Sequence, residues 1–163
     1  MGCSNGMSAA FKKILYPTDF SELSLRAIPY VRGLAEAFGG CVKCLHVVDD
    51  GCQTWVPIGP ESVSVAVPIE ELSNIAQQHM DKFAAEHLAG FVPAVTTQVV
   101  VGRAFVDIIT VAREWEADLI VMCTHGRGAI SQMLLGSTTE KVVRKSPCPV
   151  MSIRDPKREY VAP

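Results

Sequence analysis

Short blocks dominated by apolar residues recur along the chain at Lys13–Pro17, Val42–Val48, Val95–Val101, Asp118–Cys123 and Val150–Ile153. Blocks of this length, closed by Gly, Pro or polar residues, predict five strands. Between them the period changes. Leu25, Ile28, Val31, Leu34, Ala35 and Phe38 recur at helical spacing within Ser21–Phe38, and Gly39-Gly40 stops that helix. Leu72, Ile75, Ala76, Met80, Phe83 and Ala84 predict a helix over Ile69–Leu88, and Ile108, Ile109, Val111 and Ala112 one over Phe105–Trp115. A last helix covers Ser137–Lys145. Asp50–Pro68 is rich in Gly, Pro and Ser, carries Trp55 and shows no regular period, so it reads as a long loop, often a functional feature in a small domain.

The alternation is βαβαβαβαβ. Strands that are apolar throughout, separated by amphipathic helices, imply a parallel sheet covered on both faces. The fold class is therefore α/β. In such sheets ligands bind beyond the carboxyl ends of the strands, where the strand order reverses. With 163 residues and 48% hydrophobic content, the chain has enough apolar surface for one domain without a metal or disulfide staple. That domain is expected over residues 11–154, after a flexible start at 1–10 and before a charged tail at 155–163.

The charge balance narrows the partners. Fifteen Lys and Arg against seventeen Asp and Glu give −2, so no basic excess drives sequence-independent nucleic-acid binding. No run of 18 apolar residues suggests a membrane span. Met1–Gly6 lacks a basic start and apolar stretch, and Gly6 stands where a myristoylation signal wants Ser or Thr, so a cytoplasmic location is expected. Six cysteines, Cys3, Cys41, Cys44, Cys52, Cys123 and Cys148, are then expected to be reduced. Cys41 and Cys44 have metal or redox spacing, but three positions apart on a strand places them on opposite faces.

The residues that follow the strands are the candidates for chemistry. After the first strand, Asp19 reaches the carboxyl edge, and with Glu22 three positions on it also fits a capping box. His46, Val47 and Val48 end the second strand; a lone His there reads first as a packing residue. Gly102 closes the third strand, as a turn residue or as a place of close backbone approach. After the fourth strand, Gly126-x-Gly128 begins like a dinucleotide fingerprint, but the third Gly and the following acidic residue are missing, and no Walker loop is present. Gly136 precedes Ser137-Thr138-Thr139-Glu140, where Ser137 and Glu140 read as a capping box. A helix start behind a glycine favours an anion.

Together these pieces resemble the universal stress protein family over roughly Phe11–Arg154. The resemblance is carried by Lys12–Ser21, Leu45-His46-Val47-Val48-Asp49, Val100-Val101-Gly102, Asp118–Gly126, Gly136-Ser137 and Pro147-Cys148-Pro149-Val150, in the family's order and spacing. It implies a five-stranded parallel sheet of strand order 3-2-1-4-5, Rossmann-like, and a homodimer through strand Val150–Ile153. The ATP-binding branch carries Gly-x-x-Gly, nine residues, then Gly-Ser/Thr. Here Cys123 replaces the first Gly, while Gly126, Gly136 and Ser137 keep the spacing. By this resemblance Asp19 and Val47 serve the adenosine end, lined by Pro17, Thr18, Gly102 and Met122. Gly126, Gly136, Ser137 and Thr138 hold the phosphates of ATP, ADP or AMP, with Mg²⁺. If position 123 required positive φ, cysteine would cost about 1–2 kcal/mol more than glycine.

The implied function is an adenine-nucleotide-binding homodimer with a regulatory or stress-response role and an unidentified protein partner. The alternative is a protein–protein interaction module of the same fold that uses no nucleotide. No catalytic triad, flanking carboxylate pair or metal-ligand cluster is visible, so enzymatic work beyond slow ATP hydrolysis is not indicated. Such hydrolysis would need little beyond positioning and Mg²⁺. A pyrophosphatase-type synthetase would need a Gly-rich loop after the first strand, and a phosphoacceptor receiver an Asp where Gly102 stands.

Overall fold

The computed structural model describes residues 10–49, 55–58, 63–66, 68–91, 95–124 and 136–154. The first strand, β1 (Lys13–Pro17), forms where the apolar run begins, and Ile14, Leu15 and Tyr16 are fully buried. Burying each such side chain contributes about 1.5–3 kcal/mol. Parallel to β1 on one side lies β2 (Cys41–Asp49), and beyond it β5 (Thr96–Gly102); on the other side lie β6 (Leu119–Cys123) and β7 (Val150–Ile153). The order β5-β2-β1-β6-β7 matches the expected 3-2-1-4-5. All four pairings are parallel, as the βα alternation required.

The expected first helix is two. A single turn, α1 (Glu22–Leu25), is followed by α2 (Ile28–Phe38). Pro29 explains the break. In a continuous helix its missing N–H would orphan the Leu25 carbonyl, whereas in the first turn of α2 the missing donor costs nothing. Gly39 then takes the left-handed conformation, φ 57°, and the Gly40 amide donates to the Ala35 carbonyl at 2.9 Å, closing α2 as the sequence signalled.

Two described stretches within the expected 50–68 loop are strands. Trp55–Ile58 (β3) and Val63–Ala66 (β4) pair antiparallel, with Trp55 opposite Ala66 and Ile58 opposite Val63. Both pieces are rich in β-branched residues, and Pro57 is tolerated because a two-stranded ribbon leaves outward N–H positions unpaired. Next comes α3 (Ile69–Phe83), whose continuation Ala84–Leu88 widens into π geometry; then α4 (Ala104–Glu114) and α5 (Ser137–Lys145). Asp118, expected as the first residue of the fourth strand, stands just before β6. Its carboxylate accepts the amides of Lys12 and Lys13, both at 2.8 Å, and so clamps the start of β6 to the start of β1.

Two cores flank the sheet. One contains Ile14, Tyr16, Val31, Val42, Cys44, Met80, Phe83 and Val121, on the side of α1, α2 and α3. The other contains Leu15, Leu45, Ile108, Val111, Ile120, Met122 and Val142, on the side of α4 and α5. Alternation along each strand sends neighbours to opposite cores. Cys44 is buried in the first core, while the Cys41 thiol donates to the Lys12 carbonyl at 3.3 Å. Among the described residues Cys41, Cys44, Cys123 and Cys148 form no disulfide with one another. Among the described residues no group of His, Cys, Asp and Glu is arranged to hold a metal, and no helix is long and apolar enough to cross a membrane.

Candidate functional site

The strand order reverses between β1 and β6. These strands are in register only at Ile14↔Leu119 and Leu15↔Ile120, whereas β1 pairs with β2 over its whole length. Beyond these two pairs the β1–β6 ladder does not continue, and Thr18 and Thr124 follow the two strands there. That is where an open α/β sheet places a ligand crevice.

On the β1 side, Pro17 ends the strand and Thr18 continues toward β2 through its amide, which donates to the Leu45 carbonyl at 2.8 Å. Thr18 is 6% exposed, and its hydroxyl shares a 3.0 Å hydrogen bond with the Ser24 hydroxyl. The turn that follows differs from the expected Asp19–Glu22 capping box. Ser21 caps α1, accepting the Ser24 amide at 3.2 Å, because its extended backbone (φ −75°, ψ 156°) aims its oxygen along the helix. Asp19 Oδ1 accepts the Ser21 amide at 3.1 Å and the Ser21 hydroxyl at 2.6 Å. Asp19 thus orients the cap rather than being it. Phe20 sits at φ 61°, a left-handed conformation that costs a non-glycine residue about 1–2 kcal/mol. Its amide donates to Thr18 Oγ1 at 3.1 Å, and its ring stacks on the His46 ring with centroids 4.2 Å apart.

His46 and Val47 lie side by side on β2, paired with Val99 and Val100 of β5. His46 Nδ1 is 2.8 Å from the Thr18 carbonyl oxygen. The oxygen can only accept, so Nδ1 carries the proton. Val47 packs with the α4 and α5 core. Gly102 ends β5 opposite Asp49. A Cβ there would run into the Asp107 carboxylate, which accepts the Arg103 amide at 2.7 Å at the start of α4. Gly102 has no positive φ, and a side chain there would have to displace the protein's own Asp107 carboxylate.

On the β6 side, Met122 is buried in the α4 and α5 core and Cys123 packs against the opposite one. The Cys123 thiol donates to the Leu23 carbonyl of α1 at 2.6 Å. Phe20 and Glu116 are the non-glycine residues with positive φ among those described, so position 123 carries no left-handed strain. The conditional cost attached to cysteine does not arise, and the thiol occupies the sheet face away from α5.

The start of α5 is tied to the end of β6. The Gly136 amide donates to the Thr124 carbonyl at 2.6 Å, and Thr139, 3% exposed, donates its hydroxyl to the Cys123 carbonyl at 3.0 Å. Here the expected Ser137–Glu140 capping box gives way. Gly136 is the capping position, with φ −64° and ψ 151°, and it supplies no side-chain acceptor. Ser137 is already helical and exposed. The first-turn amides of α5 beyond Gly136 are thus left to outside partners, and the helix dipole adds positive character there. Gly136 contributes bare backbone rather than an amide. Gly126 lies outside the described residues.

The structure places Pro17, Thr18 and Asp19 at the carboxyl end of β1, Met122 and Cys123 at that of β6, and Gly136, Ser137 and Thr138 at the start of α5 bonded to the β6 end, with Val47 and Gly102 toward the ends of β2 and β5. Sequence reasoning passed over Thr139, which is indistinguishable from any helical Thr until the strand it bonds is in place. Phe20 was also passed over, and His46 was set aside. The adjacent Tyr16 hydroxyl donates to the Ser24 carbonyl at 2.8 Å, and burial holds its acidity below that of an ordinary tyrosine. Burial likewise pushes the Cys44 thiol up to about 12.

Comparison with known proteins agrees with this geometry. The sequence profile of the universal stress protein family matches residues 10–154. A universal stress protein of Methanocaldococcus jannaschii is 31% identical over 149 residues, covering 91% of this chain and 85% of that protein. The solved structure of UspA from Lactobacillus plantarum superposes with a TM-score of 0.72 at 27% identity, over 90% of this chain and all of that one. A universal stress protein solved in complex with cAMP shares the fold, with a TM-score of 0.64 at 21% identity over 89% of this chain and 98% of that one. The chain belongs to the universal stress protein family.

Proposed function

We propose that this protein binds an adenine nucleotide, ATP in the first place, in the gap between the carboxyl ends of β1 and β6, and that it works as a regulatory, cytoplasmic homodimer. The observation that carries the reading is the start of α5, without a side-chain cap and bonded to the end of β6. Backbone amides with a helix dipole behind them suit phosphate oxygens, and a glycine at the capping position lets a phosphate approach. Asp19, anchored by Ser21, and the backbone of Val47 suit the nucleoside end. Ser137 and Thr138 add hydroxyls beside the amides, and Mg²⁺ would accompany the phosphates. The Cys123 thiol is turned toward α1, which supports binding despite the altered glycine motif. A family relative that carries cAMP lends the fold precedent for a purine ligand. The bound nucleotide would supply a charged, removable group whose presence alters the surface offered to a protein partner.

Calorimetric titration of the purified chain with ATP, ADP and AMP, alongside mass spectrometry of the undenatured protein, tests this. Binding or co-purified nucleotide is expected. No heat from any of the three and no retained nucleotide would leave a nucleotide-independent interaction module as the function.

A further inference from the structure

We propose that the stacked pair Phe20–His46 is a positioning device for the nucleoside end of the site, fixing the placement of Asp19 relative to the Val47 backbone. The proposal rests on the adenine-nucleotide reading above. His46 immediately precedes Val47, and Thr18 immediately precedes Asp19. The bond from His46 Nδ1 to the Thr18 carbonyl, 2.8 Å, therefore joins the direct neighbours of the two residues assigned to the nucleoside. Phe20, directly after Asp19, lays its ring on the same imidazole at 4.2 Å between centroids and 29° between planes. One side chain thus grips the turn on both sides of Asp19, by the carbonyl before it and the ring after it.

Further contacts hold the grip. Phe20 keeps a left-handed backbone, φ 61°, that a bulky residue adopts only when its surroundings impose it. Its ring is also held by Phe83, 5.3 Å away, and by the edge of His79, 6.3 Å away, both on α3. The Thr18 amide bond to Leu45 extends the β1–β2 register to the residue before His46. A carboxylate positioned this firmly meets a ligand without first being ordered, which raises affinity by lowering the cost of binding. Packing alone would account for the ring contacts. It does not require an imidazole nitrogen on the carbonyl next to Asp19, nor a bulky residue in a glycine-like conformation.

A double-mutant cycle on the full chain, read by ATP titration, tests the device. His46→Ala and Asp19→Asn are each expected to weaken ATP about tenfold, the size of one hydrogen bond to a charged group. If His46 acts through Asp19, adding His46→Ala to Asp19→Asn will cost less than about twofold more. His46→Asn, which returns a donor near the Nδ1 position, is expected to recover part of the loss. Phe20→Leu keeps apolar volume but not the stack, and it is expected to follow His46→Ala should the latter fold poorly by circular dichroism. Additive losses in the cycle, or unchanged ATP affinity in His46→Ala and Phe20→Leu, would overturn the proposal while leaving the nucleotide reading intact. No ATP binding by the wild type would overturn both.

Discussion

The thiol of Cys123 lies 2.6 Å from the carbonyl oxygen of Leu23, so the last residue of β6 is fastened to α1 on the sheet face opposite α5. The side chain that breaks the glycine motif is thereby aimed away from the helix start that would receive phosphate. Cys123→Gly is expected to change ATP affinity by less than about twofold. It is also expected to lower stability by about 1 kcal/mol, from the lost contact and the freer unfolded backbone. Paired titration and urea unfolding of wild type and variant check this. A large gain in affinity would mean that the thiol obstructs the ligand.

Thr139 couples the same strand end to α5. Thr139→Val keeps the shape and removes the donor to the Cys123 carbonyl, 3.0 Å away. The loss of one buried hydrogen bond is expected to cost about 1–2 kcal/mol in urea unfolding. Faster hydrogen exchange at the first turn of α5 and weaker ATP binding should accompany it. Unchanged exchange there would show that the Gly136 amide alone fixes the helix start.

Two glycines make a controlled contrast. Gly33 is exposed within α2 and a Cβ there would meet nothing within 4 Å, so Gly33→Ala is expected to stabilise the protein by about 0.5–1 kcal/mol. At Gly40 a Cβ would lie 2.5 Å from the Phe11 carbonyl oxygen and 3.0 Å from that of Lys12. Backbone is on the receiving side, so Gly40→Ala is expected to destabilise, by about 1–3 kcal/mol. Thermal melts of both variants read the opposite signs directly.

Alkaline pH should unfold the protein through two buried groups. Burial pushes the Cys44 thiol up to about 12 and the Tyr16 hydroxyl above its usual range. Both groups are neutral when protonated, and the folded chain holds those protons more tightly than the unfolded one. Their stabilisation is complete below the ordinary thiol range and is lost as pH rises from about 9 toward 12. The slope approaches about 1.4 kcal/mol per pH unit for each group once its unfolded counterpart ionises. Urea midpoints should fall across that window, and Cys44→Ala should flatten the part nearest pH 9. A flat profile in the wild type would contradict the assignment.

The outer strand β7 pairs with β6 on one side, and its other edge is the end of the sheet. An apolar edge strand is a template for a second copy. Val150→Lys is expected to convert a dimer into a monomer on size-exclusion chromatography. Unchanged elution would place the contact on another surface.

Much of this site is legible without coordinates. The order of elements and the residues that leave each strand follow from local periodicity, because a strand or an amphipathic helix writes its buried face into neighbouring positions. Pro17, Thr18, Asp19, Met122 and Cys123 could be assigned to strand ends for that reason, and the strand order implied by the family resemblance then put the ends of β1 and β6 together. The paired strands Trp55–Ile58 and Val63–Ala66 escaped because four residues each leave too short a period to stand out against Gly and Pro.

Which groups do what was decided by contacts distant in sequence. Ser21, not Asp19, caps α1, and Gly136, not Ser137, caps α5, because capping depends on backbone angles that composition leaves open. Gly102 answers to the Asp107 carboxylate. Cys123 reaches back about 100 residues to α1, and its carbonyl takes the Thr139 hydroxyl. The chain's own residues determined an α/β domain of five strands with helices between them, since those patterns are local. Tertiary structure alone decided that the Cys123 thiol turns toward α1 and that His46 bonds the Thr18 carbonyl, since a side chain's direction is set by whatever packs against it.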